Sequence, residues 1–194
     1  MKNNQPGGYR MRKLAVALSF LLLSSQAFAL DVAGVNVAPT VTFQQKTLTL
    51  NGAGIRKKLF IKVYVGSLYT ERKVTTPAQL LADPGEKLIR MNFVYKKVEK
   101  EKMVEGFAEG FANNSPGVAP SAEAKAFLSW FTADFVAGDT VDISLSPDGT
   151  VAASHNGKAL GTVRSPALVQ GVLLIWFGEK PADGGLKKGM LGGG

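Results

Sequence analysis

The stretch NGAGIRKKLFIKVYVGSLY, from Asn51 to Tyr69, decides the fold of this 194-residue chain. The part from Leu59 to Tyr69 is rich in Val, Ile and Tyr, which predicts a long β-strand. The segment from Val41 to Leu50 predicts a second strand before it. Between them, Asn51–Gly54 has the composition of a turn, with glycines that could supply positive φ angles. The sequence therefore predicts two strands joined at Asn51–Gly54.

The strand from Leu59 to Tyr69 also carries the first candidate site. Side chains of a regular strand alternate between two faces. One face would hold Phe60, Lys62, Tyr64, Gly66 and Leu68; the other, with the composition of a core, would hold Leu59, Ile61, Val63 and Val65. The first face thus carries a cation and a phenol, with Arg56 just upstream. Such groups could orient a ligand in an apolar cleft, or could equally form a solvent-facing strand surface.

The rest of the chain predicts helices followed by strands. Met103, Phe107 and Phe111 recur every four residues, which is typical of one helix face. Further helices are predicted at Pro77–Leu81 after the cap Thr76, from Ser121 through Phe135, and at Ala167–Phe177; further strands are predicted at Lys87–Val94, Val141–Leu145, Thr150–Ser154 and Ala159–Val163. The tail from Leu186 to Gly194 is short, basic and glycine-ended, so we expect it to fray. Strands, then helices, then strands indicate an α+β fold.

The N-terminus has the pattern of an export signal. Residues 1–13 carry four basic residues and no acid, and residues 14–23 are apolar except for Ser19. Ala27-Phe28-Ala29 follows, which is the small-residue pattern of a cleavage site. We therefore expect residues 1–29 to be a signal peptide, starting at Met1 or Met11 and cleaved after Ala29, and residues 30–194 to be a periplasmic domain. The alternative is an N-terminal membrane anchor, although ten apolar residues are fewer than the roughly 20 that span a bilayer.

The amino-acid composition excludes several kinds of functional site. The chain has no Cys, which excludes disulfides, thiolate metal sites and cysteine nucleophiles. Its single histidine, His155, excludes a multi-histidine metal site. Without residues 1–29 the chain keeps 19 basic and 15 acidic residues, a formal charge of +4. That ordinary balance does not indicate a nucleic-acid partner. We expect no metal, no cofactor, and no membrane span in the mature protein.

Several motifs together resemble the chalcone isomerase family, and most of all its secreted bacterial members. The Gly-x-Gly-x-Arg pattern ending at Arg56 and the following Phe-Ile-Lys strand carry the resemblance. It continues through Val104–Phe107, Phe127–Phe131, Gly157–Gly161 and Ile175–Pro181. The resemblance covers the whole expected mature chain. It implies an open-faced β-sandwich, in which a layer of helices packs against a large antiparallel sheet with a cleft between them.

The resemblance also implies roles for particular residues. In the plant enzymes, the arginine after the Gly-x-Gly segment binds the anionic flavonoid, and a Thr, a Tyr and an Asn complete the site. This sequence keeps the arginine as Arg56, but Tyr64 stands at the Thr position. An ungapped placement puts Glu99 and Gly106 at the Tyr and Asn positions. The family also has non-catalytic fatty-acid-binding members, in which an Arg and a Tyr corresponding to Arg56 and Tyr64 hold the carboxylate.

Three functions remain open at this stage. The preferred one is binding of a small apolar acid, such as a fatty acid, through Arg56 and Tyr64, with Lys62 as a further ligand-binding candidate. The second is an isomerase that acts on a chalcone-like substrate, with Arg56 as the electrophile. The third is a structural or partner-binding envelope protein without a ligand.

Overall fold

The computed structural model describes residues 1–3 and 30–193. The described strands are β1 (Leu30–Val32), β2 (Val35–Val37), β3 (Thr40–Phe43), β4 (Lys46–Lys58), β5 (Ile61–Thr70), β6 (Lys87–Phe93), β7 (Lys97–Val98), β8 (Phe135–Val136), β9 (Thr140–Leu145), β10 (Thr150–His155) and β11 (Lys158–Arg164). The helices are α1 (Pro77–Ala82), α2 (Lys100–Asn114), α3 (Ala122–Ser129), α4 (Pro166–Phe177) and α5 (Gly184–Met190). The expected export signal lies almost wholly in residues 4–29, outside the described residues, so export stays a prediction.

A seven-stranded antiparallel sheet organises the chain, in the order β11-β10-β9-β6-β5-β4-β3. One face of the sheet packs under the helices in a large hydrophobic core. The other face carries a smaller apolar cluster, to which β2 adds Val37. The predicted α+β fold, with a large antiparallel sheet and a helix layer, is confirmed. Within the described residues, no helix is long and apolar enough to cross a membrane.

The helices form largely where the sequence predicts them. Thr76, Ser121 and Ser165 each cap a helix by accepting a hydrogen bond from a backbone N–H three residues on. The apolar stripe of α2 is buried, and Phe107 packs with ring centroids 5.5 Å from Phe127 and 5.8 Å from Trp176. The helix predicted through Phe135 is too long, because α3 ends at Ser129 and Phe135 lies in β8.

The predicted turn at Asn51–Gly54 is wrong, because these residues lie inside β4. The glycines are needed for close packing rather than for a turn. A Cβ on Gly52 would lie 2.2 Å from the carbonyl oxygen of Gly189, and one on Gly54 would lie 2.9 Å from the Cα of Leu186. Both neighbours belong to α5. The glycines therefore let the backbone of α5 rest directly on β4, and the turn itself falls at Leu59 and Phe60.

The C-terminal tail does not fray through Met190, contrary to the sequence prediction. Leu186 and Met190 of α5 are fully buried in the main core. Asn51 holds the end of this helix, since its Nδ2 donates to the carbonyl oxygens of Met190 and Val74 over 2.8 Å and 2.9 Å. Asn51 is the extra residue of a β-bulge, between the pairs Leu50–Tyr69 and Gly52–Leu68. Burial of an apolar helix face outweighs the low helix propensity of its glycines.

Candidate functional site

A cavity of about 700 Å³ lies between the β4–β5 end of the sheet and helix α2. Ile61 and Val63 of β5, Met103 and Phe107 of α2, and Ile175 of α4 form apolar parts of its wall. Small-molecule sites are typically apolar clefts of roughly 300–1,000 Å³ with a few polar groups. The cavity therefore has the size and lining of a ligand site.

Charged residues on the lining favour an anion. Six are basic, namely Arg56, Lys58, Lys96, Lys97, Lys102 and Lys180. Three are acidic, namely Glu99, Glu105 and Glu109. One of the acids, Glu105, is paired with Lys102 at 2.8 Å on the exposed side of the helix. The excess of positive charge attracts an anionic ligand toward the cavity.

Arg56 and Tyr64 are brought together by the pairing of β4 with β5. They are direct cross-strand partners, and both line the cavity. A β-bulge lies beside this pair, because Lys57 pairs with Lys62 and leaves Val63 as the extra residue of β5. The carbonyl oxygen of Val63 accepts hydrogen bonds from the backbone N–H groups of both Val94 and Tyr95. The bulge thus lies in the part of β5 that lines the cavity.

The same bulge separates Lys62 from Tyr64. Regular alternation would put Lys62 on the face of Tyr64, but the extra residue Val63 changes the phase of the strand. Ile61 and Val63 line the cavity instead, and Lys62 lies outside that lining, exposed to solvent. Further along β5, Tyr64 and Leu68 lie in the main core and Val65 in the smaller cluster. The predicted alternation therefore holds only from Tyr64 onward.

The hydroxyl group of Tyr64 is buried and oriented. Tyr64 is 4% exposed, and its hydroxyl oxygen accepts a 3.0 Å hydrogen bond from Nε1 of Trp176. Burial raises the pKa of Tyr64 and outweighs the opposing effects of the Trp176 hydrogen bond and the Arg56 charge. The phenol thus stays protonated at neutral pH. Because the indole occupies a lone pair of the oxygen, the hydroxyl proton remains to be donated to a ligand.

The guanidinium of Arg56 is partly exposed and lies near an acid. Its Nη1 donates to the carbonyl oxygen of Lys57 over 2.6 Å and lies 3.8 Å from Oδ2 of Asp183. A guanidinium carries five N–H donors, so these contacts leave donors for a ligand carboxylate. Asp183 is itself held in place, since its two oxygens accept from the backbone N–H groups of Leu186 and Lys57. A bound carboxylate would therefore lie close to a fixed negative charge.

Helix α2 does not supply the Tyr and Asn side chains of the plant site, and it has a glycine, Gly106, on the cavity lining. Glu99 and Gly106, which the ungapped placement puts at the plant enzymes' Tyr and Asn positions, both line the cavity. A Cβ on Gly106 would have no atom within 4 Å, whereas one on Gly110 would meet Cγ2 of Ile175 at 2.8 Å. Gly110 therefore allows α2 to pack against α4. Gly106 is exposed on the cavity lining and leaves open space beside the helix.

Two residues near the site are not predicted from the sequence as site residues. Trp176 is predicted only as part of a buried helix, although a buried indole N–H requires an acceptor and so signals a polar partner. Nothing in the sequence around Asp183 indicates a contact with the site. It reaches Arg56 only because α5 packs on β4, more than 120 residues away in the sequence.

Comparison with known proteins identifies the family of this chain and a solved structure with a similar fold. The model of the family described as chalcone isomerase-like matches residues 29–192. Among solved structures, the crystal structure of a fatty-acid binding protein of Arabidopsis thaliana is similar, with a TM-score of 0.66 and 19% sequence identity. The similarity covers 84% of this chain and 95% of that chain. A comparison with curated protein sequences gives no significant match. The family model covers nearly all of the chain beyond the expected signal, and the chain belongs to the chalcone isomerase-like family.

Proposed function

We propose that this protein binds a small apolar carboxylic acid of the fatty-acid type in the α2–sheet cavity and does not turn it over. Arg56 and Tyr64 would hold the carboxylate. The observation that carries the proposal is their position, since the two residues are cross-strand partners that both line an apolar-walled cavity. The excess of basic residues on the lining supports an anionic ligand. The fold shared with a fatty-acid binding protein supports the ligand class.

The expected contributions to binding are large enough to offset the free-energy cost of association. A carboxylate that accepts from Arg56 and Tyr64 gains charge-assisted hydrogen bonds, which contribute about 1.5–3 kcal/mol each. Each methylene group buried against the apolar wall adds about 0.8 kcal/mol. A long acyl chain can thus offset an association cost of about 4–15 kcal/mol.

The chemistry of the pair favours binding over proton transfer. A guanidinium has N–H donors but no acceptor for a proton, and burial raises the pKa of Tyr64 above its ordinary value near 10. Neither group can act as a base near neutral pH. The family resemblance also puts Tyr64 at the Thr position of the plant site, and the ungapped placement puts Glu99 and Gly106 at its Tyr and Asn positions. We therefore expect no detectable isomerisation of a chalcone.

A titration with oleate as the probe tests the site. Arg56→Ala should weaken binding by roughly 10- to 150-fold, because it removes one charge-assisted contact. Tyr64→Phe keeps the ring and should cost less. Lys62→Gln, at the neighbouring cation outside the lining, is the matched control and should bind as wild type. Circular dichroism of each variant checks that the fold is retained.

The outcomes separate the candidate functions. Equal binding by wild type, Arg56→Ala and Tyr64→Phe would reject this site. Turnover of chalcone several orders of magnitude above background, abolished by Arg56→Ala, would favour the isomerase. Native mass spectrometry of protein purified without delipidation should show an acid of fatty-acid mass bound to the wild-type chain.

The proposed place of action is the periplasm, on the strength of the basic, apolar and Ala-x-Ala pattern of residues 1–29. Protein recovered from the periplasm should begin at or near Leu30. An intact mass that includes residues 11–29 would contradict export with cleavage.

A further inference from the structure

The turn that joins β4 to β5 exposes three consecutive apolar residues. Phe60 is 99% exposed, Leu59 is 87% exposed and Ile61 is 44% exposed. Lys58 pairs with Ile61, so Leu59 and Phe60 alone form the turn. Two-residue hairpin turns favour Asn and Gly, whose backbones adopt the required positive φ angles most easily. The geometry of the turn therefore does not explain why a leucine and a phenylalanine stand there.

Lysines surround this apolar tip. Lys57 and Lys62 face each other across the two strands, and Lys58 lies next to Leu59. No Asp or Glu occurs between Asn51 and Thr70. Like charges directly opposite each other on a sheet are destabilising. An anionic surface in contact with the hairpin would remove that repulsion.

We propose that the Leu59–Phe60 tip inserts into the interfacial region of an anionic lipid bilayer while Lys57, Lys58 and Lys62 contact the lipid phosphates. Apolar and aromatic side chains beside a cluster of lysines are the combination that binds such surfaces. A symmetric contact between the hairpins of two copies of this chain fits less well, because it would bring lysines against lysines. The tip, with its lysines, is complementary in charge to the anionic bilayer.

The tip also borders the cavity. Lys58, Leu59 and Ile61 belong both to the hairpin end and to the cavity lining. Docking through the tip would bring the cavity wall to the membrane surface, where an apolar acid would partition. This consequence rests on the proposed function, but the docking itself does not.

Vesicle co-sedimentation tests the proposal with protein produced from the full chain. The probes are vesicles of phosphatidylcholine alone and of an equimolar mixture of phosphatidylcholine and phosphatidylglycerol. Wild type should bind the mixed vesicles and bind the neutral ones much more weakly. Phe60→Ser should weaken binding about 10-fold or more, because the ring is no longer buried. Lys57→Gln with Lys62→Gln should weaken it roughly 25-fold, at about 5-fold for each lysine.

Matched variants elsewhere on the surface make the test specific. Lys125→Gln with Lys158→Gln removes two exposed lysines far from the hairpin in sequence, and Leu30→Ser removes another exposed apolar side chain. These variants should bind vesicles as wild type does. Equal losses in the hairpin and control variants, or no preference of wild type for the mixed vesicles, would overturn the proposal.

A spectroscopic readout reports insertion directly. The emission of a Phe60→Trp variant should shift to the blue on mixed vesicles, beyond any change in wild type, and brominated lipid should quench it. No shift would overturn insertion. Phe60, Lys57 and Lys62 lie outside the cavity lining, so their variants should bind oleate normally without vesicles. Oleate binding without vesicle binding would reject only this inference, and the reverse would reject only the proposed function.

Discussion

Nε1 of Trp176 donates a hydrogen bond to the hydroxyl oxygen of Tyr64 over 3.0 Å, in the buried core. The bond joins helix α4 to strand β5 and fixes the direction in which the hydroxyl can donate. It also gives both polar groups a partner where water is excluded, since Trp176 and Tyr64 are both buried. The orientation of the candidate ligand-binding phenol is therefore built into the contact between the helix layer and the sheet.

The buried phenol should make stability depend on alkaline pH. An unfolded tyrosine titrates near 10, and burial raises the pKa of Tyr64 in the folded state. Above about pH 10 the unfolded chain loses this proton while the folded chain keeps it, so the free energy of unfolding falls as pH rises. Below that pH the contribution of Tyr64 to stability is fully present. Urea denaturation from about pH 8 to about pH 11 should show a smaller decline for Tyr64→Phe than for wild type.

Tyr69 serves as an internal reference for this measurement. Burial also raises its pKa, and it is present in both proteins, so the comparison isolates Tyr64. An identical decline in wild type and in Tyr64→Phe would mean that Tyr64 ionises equally in the folded and unfolded states.

Removal of the charge on Asp183 should strengthen ligand binding. Asp183 lies 3.8 Å from Arg56 and would repel a carboxylate bound there. A partly exposed charge of this kind contributes about 1 kcal/mol, so Asp183→Asn should raise oleate affinity roughly 5-fold in a fluorescence titration. Asparagine is also a good N-cap residue, which preserves the start of α5.

Asp183→Asn should nevertheless cost some stability. The carboxylate accepts from two backbone N–H groups, those of Leu186 and Lys57, and the amide offers one oxygen in place of two. Loss of one such bond should lower the free energy of unfolding by about 0.5–1.5 kcal/mol. Glu123→Gln, on α3, is the charge control and should leave oleate affinity unchanged. Weaker binding by Asp183→Asn would show that this carboxylate supports the ligand instead of competing with it.

Much of the secondary structure, and with it the α+β class, could be predicted because it depends on local patterns, whereas the large sheet with its helix layer followed from the family resemblance. The four-residue spacing of Met103, Phe107 and Phe111 and the caps Thr76 and Ser121 are visible in the sequence and appear in the structure. Their signals act over a few residues, so tertiary contacts do not have to be known.

The details of the site could be predicted only in part. Arg56 and Tyr64 follow from the family resemblance, and the structure brings them together. The exposed position of Lys62 depends on the bulge at Val63, and strand alternation contains no sign of a bulge. Gly52 resembles a turn residue because a close approach by a distant helix leaves no local mark in the sequence.

The substitution Gly52→Ala, which adds a single methyl group, tests the packing role of Gly52. In Gly52→Ala the new Cβ would meet backbone atoms of Gly189, Gly192 and Met190 at 2.2–2.9 Å, so α5 would have to move. We expect a loss of about 3 kcal/mol in the free energy of unfolding. Gly184→Ala, at the start of the same helix, has nothing within 4 Å and should be tolerated. Thermal unfolding followed by circular dichroism compares the two, and a wild-type melting temperature for Gly52→Ala would contradict close packing.

The open space at Gly106 leads to the sharpest test of the cavity. Glycine within a helix costs about 1 kcal/mol relative to alanine, and a Cβ at this position meets no atom within 4 Å. Gly106→Ala should therefore stabilise the protein by about that amount. Gly106→Leu should be folded as well, because leucine is a good helix former, and we expect its side chain to extend from the lining into the cavity. We expect it to weaken oleate binding at least about 10-fold, the loss of one or two buried methylene contacts.

Gly110→Ala, one turn further along α2, is the matched control for this test. Its Cβ would lie 2.8 Å from Cγ2 of Ile175, a stiff and fully buried side chain, so it should destabilise the protein by about 1–3 kcal/mol. The two glycines thus differ in the sign of their effect on unfolding, although they lie on the same helix and both line the cavity. If Gly106→Leu is stable and still binds oleate as wild type does, the ligand does not contact the part of the cavity beside Gly106. If it is stable and does not bind, the cavity between α2 and the sheet is the site.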